Sequence, residues 1–184
     1  MGMAMEAFPV IMRQNGVPLE LLAFVPLAGL PWILKIFWAP MVDNCWSAKL
    51  GRRRSWLLTM QTLLLIAMVL LAFVPATSAN AVLMIVIMSV GMLASATQDT
   101  ATDGLAAERL RAGALSRANA LQIGGMMAGF MVGGGGALLL IDTLGQQYLL
   151  LLLSLIPLAT IILVLLWKEE PQASHIATQG KARL

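Results

Sequence analysis

Residues 81–94 read AVLMIVIMSVGMLA, and the chain runs on without a break into SATQDTATDGLAAE at 95–108. Together they are long enough for one membrane-spanning helix, since a bilayer core about 30 Å thick takes about 20 helical residues. A helix entered at Ala81 still has Asp99 at membrane depth and Asp103 near the far headgroups. Four residues apart, the two acids share a face. A charge at the bilayer centre costs at least about 2.5 kcal/mol, so such acids turn toward protein or a water-filled cavity. The alternative is a helix that ends at Thr97 and leaves both acids at the interface.

The rest of the chain agrees with a membrane setting: of 184 residues, 59% are hydrophobic and 11% charged, with a mean hydropathy of +0.84. Lipid cannot satisfy free backbone groups, so a spanning chain is helical or a closed barrel. Runs such as 149–167 lack the alternation of barrel strands, and the fold class is therefore all-α. With a single cysteine, Cys45, and a single histidine, His175, neither a disulfide framework nor a zinc site can be assembled. His175 is assigned no role. The net charge of +3 sits in short loops, which suits membrane orientation and argues against nucleic acid as a partner. There is no HExxH motif and no serine–histidine pair within the spans, so neither an enzyme nor a bound cofactor is expected.

Read in order, the chain predicts a six-helix bundle over 1–167, with helices at about 1–13, 19–42, 56–74, 81–108, 118–141 and 148–167. Residues 1–12 are apolar but too short to cross alone, and read as the last part of a truncated first helix or as a short helix tucked on the bundle. Gly16 and Pro18 mark a turn. Kinks are expected in the second helix at Pro26, Pro31 and Pro40. Lys35 lies about 12 Å of helix inside its Asp43 end, as a buried cation or with its head snorkelling to the interface. In the fifth helix Gly125, Gly129 and Gly133 recur every fourth residue. Such a groove packs against another helix backbone, inside this bundle or in another half-molecule. The sixth helix, apolar on nearly every face, is expected to be peripheral and lipid-facing. Residues 168–184 form a polar tail, expected to be disordered.

The cations orient the bundle. Of twelve Lys and Arg, ten fall in the second-to-third loop, the fourth-to-fifth loop and the tail, which places all three on the cytoplasmic side. Only Arg13 falls outside.

The phrases GLPWILKIFWAPMVD (29–43), GRRRSW (51–56) and SATQDTATDGLA (95–106), with a glycine-rich fifth and a greasy sixth helix, resemble the amino-terminal half of a major facilitator superfamily transporter. An Asp followed by LGRRR is similar to the superfamily's signature between helices two and three, here with extra residues between Asp43 and Gly51. That variant resembles the AmpG-like and RhtX/FptX-like branches, and the Asp103–Gly104 pair leans toward RhtX/FptX.

The resemblance implies a multi-pass protein of the bacterial inner membrane, in contact with lipid, that imports a ferric siderophore, with proton symport as one option for its coupling. An AmpG-like muropeptide or acetyl-CoA permease is the rival, and a non-transporting membrane partner subunit or truncated remnant a third reading. On this likeness a second six-helix half is needed to complete the cavity. Asp99, Lys35, Gln98 and Thr102 are the expected substrate or proton-coupling residues. Asp43, Gly51, Arg52, Arg53, Arg54, Asp103 and Glu108 are the expected cytoplasmic gate.

Overall fold

The computed structural model describes residues 2–47 and 50–167. Among them the chain is helical, without strands apart from an isolated bridge between Ser47 and Gly51. A π-helical segment, Met3–Ala7, runs into α1 (Phe8–Gln14). Then come α2 (Leu19–Leu22), a 3-10 segment at Val25–Gly29, and α3 (Leu30–Asn44). Next are α4 (Arg52–Phe73) and α5 (Ala81–Arg109). The chain continues as α6 (Ala112–Phe130), a π-helical segment at Met131–Gly136, and α7 (Ala137–Leu166). Four helical stretches are long and apolar enough to cross a membrane: Leu19–Asn44, Arg52–Phe73, Ser78–Arg109 and Ala112–Leu166.

Several boundaries differ from those expected. The prolines do more than bend the second helix. Pro26 and Pro31 each stand in the first turn of a new segment, where a missing N–H costs nothing, so α2, the 3-10 turn and α3 follow one another as separate pieces. The expected loop at 142–147 is a break inside a helix. Gly145, at φ 71° and ψ 165°, leaves helical geometry in a region open to glycine and not to other residues. Just beyond it, the Gln146 amide donates to the Leu71 and Val74 carbonyls at 2.9 and 2.8 Å and caps the end of α4. Helix α7 is not peripheral throughout: it packs along α4 and buries Leu149, Leu150, Ser154 and Pro157, while Leu163 and Leu166 stay exposed. The tail at 168–184, and Lys49 of the basic loop, lie outside the described residues.

In lipid there is no hydrophobic drive between helices, so close van der Waals packing must hold them. The packed core gathers at the end away from the basic loop, around Phe8, Ile11, Met12, Met84, Leu149 and Leu150. Ser78 Oγ donates to the Gly16 carbonyl at 3.2 Å, tying two turns together there. At the basic end the buried apolar set is small, Val42, Leu57 and Ala101, bordered by Trp38, Trp56 and Trp167.

The glycines expected in one groove divide between α6 and the π-helical segment that follows it. A Cβ at Gly133 would lie 3.2 Å from the Met3 backbone nitrogen, so this glycine packs on the amino-terminal segment; Gly125 and Gly129 meet nothing within 4 Å.

Candidate functional site

Helix α5 carries two polar faces, and its periodicity sorts the acids between them. Ser95, Asp99, Asp103 and Ala107, four apart, line an open cavity of about 710 Å³ that is also bordered by Trp32 of α3 and by Asn119, Gln122 and Met126 of α6. Thr97, Ala101, Gly104 and Glu108 form the second face, turned to α3 and α4. Thr97 accepts a hydrogen bond from Trp38 Nε1 at 3.1 Å, and Ala101 sits with Val42 and Leu57.

Lys35 Nζ, not itself among the lining residues, lies 2.5 Å from Asp99 Oδ2 and 3.9 Å from Asp103 Oδ2, both on the cavity wall. The Gln122 amide donates to Asp99 Oδ1 at 3.0 Å and to Asp103 Oδ1 at 2.8 Å, so one side chain of α6 ties both acids. The Lys35 ammonium also stands 5.4 Å from the Trp32 ring centroid, within cation–π range. Both members of the pair keep some contact with solvent, Lys35 at 30% and Asp99 at 21% of side-chain area. Each Asp99 oxygen has a partner, and the pair is only partly covered by this chain.

The gate residues gather at the basic end, with one exception. Arg53, only 3% exposed, donates to Glu108 Oε1 at 2.5 Å and lies 2.8 Å from Asp43 Oδ1. Arg52 reaches the same two acids, at 3.1 and 3.2 Å. Gly51, at φ 96°, turns the loop into α4 and sets this pair of arginines. Gly104 makes room for them, because a methyl group there would overlap the Arg53 guanidinium. Arg54 instead donates to the Val164 and Leu165 carbonyls at 3.0 and 2.7 Å, satisfying the last turn of α7.

Asp103 is the exception: expected beside the arginines, it belongs to the cavity. Depth along α5 was the guide in the sequence, whereas azimuth decides, since Asp103 repeats Asp99 and Glu108 repeats Gly104. Gln98 and Thr102 are likewise not among the cavity's lining residues. The Thr102 hydroxyl donates to the Gln98 carbonyl of its own helix. Gln122 and Asn119 were missed. Their signal is two amides three residues apart, and so on one face, where α6 passes from Ser116 and Arg117 into its apolar part.

Residues 1–150 match the family described as acetyl-coenzyme A transporter 1. The chain belongs to that family. It is 34% identical over 130 residues to an uncharacterized protein of Haemophilus influenzae, covering 67% of this chain and 30% of that protein. To the anhydromuropeptide permease of Escherichia coli K12 it is 35% identical over 126 residues, 64% of this chain and 25% of the permease. A putative transporter, AmpG 4, of Rickettsia felis is 25% identical over 126 residues, 67% and 30%. The chain thus spans 25–30% of the length of these relatives. It is a helical, multi-pass membrane protein of a transporter family. The lean toward siderophore transporters, carried by Asp103 and Gly104, gains no support from these relatives.

Proposed function

We propose that this chain supplies the amino-terminal half of a secondary transporter of the AmpG type, in the bacterial inner membrane, with an anhydromuropeptide as cargo. The observation that carries the reading is the cavity of about 710 Å³, with Asp99, paired to Lys35, on its wall within a helix long and apolar enough to span a membrane. Six segments, the first of them short, fit the helices if Ala112–Leu166 is counted as two. Its 55 residues would span about 80 Å as one helix, nearly three bilayer cores, and Gly145 supplies the break. A second six-helix half would then close the open side of the cavity and rock against this one.

A cargo carboxylate would compete with Asp99 for the Lys35 ammonium, and an amide or hydroxyl would find Gln122 and Asn119. The choice of anhydromuropeptide over acetyl-CoA or a ferric siderophore rests on the Escherichia coli relative, which carries that cargo in its name.

The test is uptake by proteoliposomes holding the chain together with its second half, using labelled anhydromuropeptide, acetyl-CoA and ferric siderophore in parallel. Saturable uptake of the first alone is expected. Asp99→Asn and Lys35→Met should each lower it by at least about tenfold, or 1.4 kcal/mol. The double variant should lose much less than the product of the two, as for any pair acting as a unit. Uptake unchanged in Asp99→Asn removes the assigned role, and uptake of siderophore alone overturns the cargo.

A further inference from the structure

Glu6 is the one acid of the amino-terminal segment Met3–Gln14, and neither the gate nor the cavity pair uses it. It sits eight residues before the end of α1 at Gln14, about 12 Å of helix from the apolar end, which is close to the middle of a bilayer core about 30 Å thick. Its side chain is exposed, and among the described residues no cation or hydrogen-bond donor pairs with it. The segment is pressed onto the glycine-rich stretch of the chain. A Cβ on Gly2 would lie 2.7 Å from the Phe130 backbone, and a methyl on Gly134 would overlap the Glu6 carboxylate. Both contacting stretches, Met3–Ala7 and Met131–Gly136, are π-helical, a form that recurs at functional sites. Gly2, four residues before Glu6, lines the cavity that holds Asp99, while Met3, Ala4 and Phe8 turn the other way, toward α4 and α5. Glu6, not itself a lining residue, follows Gly2 by about one turn on that side, and among the described residues nothing compensates its charge.

The elements around it offer no alternative partner. Val25–Gly29 and Met131–Gly136 carry no titratable side chain. Arg13 of α1 points its guanidinium at the Val17 carbonyl, and Asp142 and Tyr148 of α7 lie at least about 12 Å further along the helix from Gly134. Asp99, in contrast, has both oxygens engaged, one by Lys35 and the other by Gln122.

Building on the permease reading, we propose that Glu6 carries the coupled proton, while Asp99 and Lys35 answer to cargo. One proton joins the carboxylate from water on one side of the membrane, neutralises it while the halves rock, and leaves to water on the other. An unpaired acid at mid-depth is the kind of group that proton relays use.

In proteoliposomes with an acid-outside gradient, Glu6→Gln should lower gradient-driven accumulation at least tenfold yet keep exchange of external labelled for internal unlabelled anhydromuropeptide. Glu6→Asp should keep part of the accumulation. Accumulation equal to wild type in Glu6→Gln overturns the proposal, as does loss of exchange along with accumulation in a variant present at normal abundance. A wild type that moves no cargo sinks the permease reading instead, and Glu6 is then judged on the purified chain with dicyclohexylcarbodiimide, which attacks protonated carboxyls from the apolar phase. An adduct at Glu6 that grows as pH falls, with little at Asp99, supports the proton role. No adduct, or one indifferent to pH, overturns it.

Discussion

The two ends of the bundle are closed by different physics. At the apolar end the turns around Gly16 and Ser78 meet over Phe8, Ile11, Met12, Met84 and Leu150, each at most 2% exposed. At the basic end the buried apolar cluster is only Val42, Leu57 and Ala101, and closure falls to Arg52 and the buried Arg53 bridging Asp43 and Glu108. Interlocked side chains lose their contacts as soon as a gap opens, so the first end resists parting at any ionic strength. Ion pairs can trade one another for water. Asp43 is already 47% exposed, and under the proposed permease reading the second end is the one expected to open and reclose.

Three substitutions would break or sharpen that contrast. Phe8→Ala should cost the most, about 3 kcal/mol, toward the low end of soluble cores because lipid removes much of the transfer contribution. Unfolding of the reconstituted protein in mixed micelles would measure it, and the loss should not change with added salt. Arg53→Ala should follow, at about 2 kcal/mol. That is less than for a fully buried pair, since Asp43 and Glu108 keep contact with water, and the loss should shrink in high salt. A loss from Arg53→Ala that ignores salt would mean the guanidinium matters as packing and not as charge. Gly104→Ala should cost about 1 kcal/mol by crowding Arg53. In the Arg53→Ala background the same change should cost much less, because the three atoms nearest to the added methyl all belong to the Arg53 guanidinium. An unchanged cost there would place the crowding elsewhere.

The same contrast shows what the sequence could and could not tell. Depth was legible, because helix rise converts residue number into distance; that is why Lys35 and Asp99 could be set at one level from their numbers, 64 residues apart. Azimuth was harder. Asp103 and Glu108 are both acids near the basic end of α5, and only the identity of the facing helix sends one to Gln122 and the other to Arg53. Helix ends were blurred for a local reason: Gly145 and the prolines of 26–40 change the backbone without changing the apolar pattern. Arg54, grouped with its neighbours as part of one basic run, points its guanidinium at the carbonyls of a helix more than a hundred residues away.

All of this depends on water reaching the wall where Asp99 stands. Asn119 reports on that wall without belonging to the ion pair, and it can be read by placing a single cysteine there in a Cys45→Ser background of the assembled transporter. A charged, membrane-impermeant thiosulfonate should modify Asn119→Cys, and anhydromuropeptide should slow the reaction. Modification by lipid-soluble reagents alone, with the charged one inert, would mean that this face looks at acyl chains and that the cavity is no path for cargo.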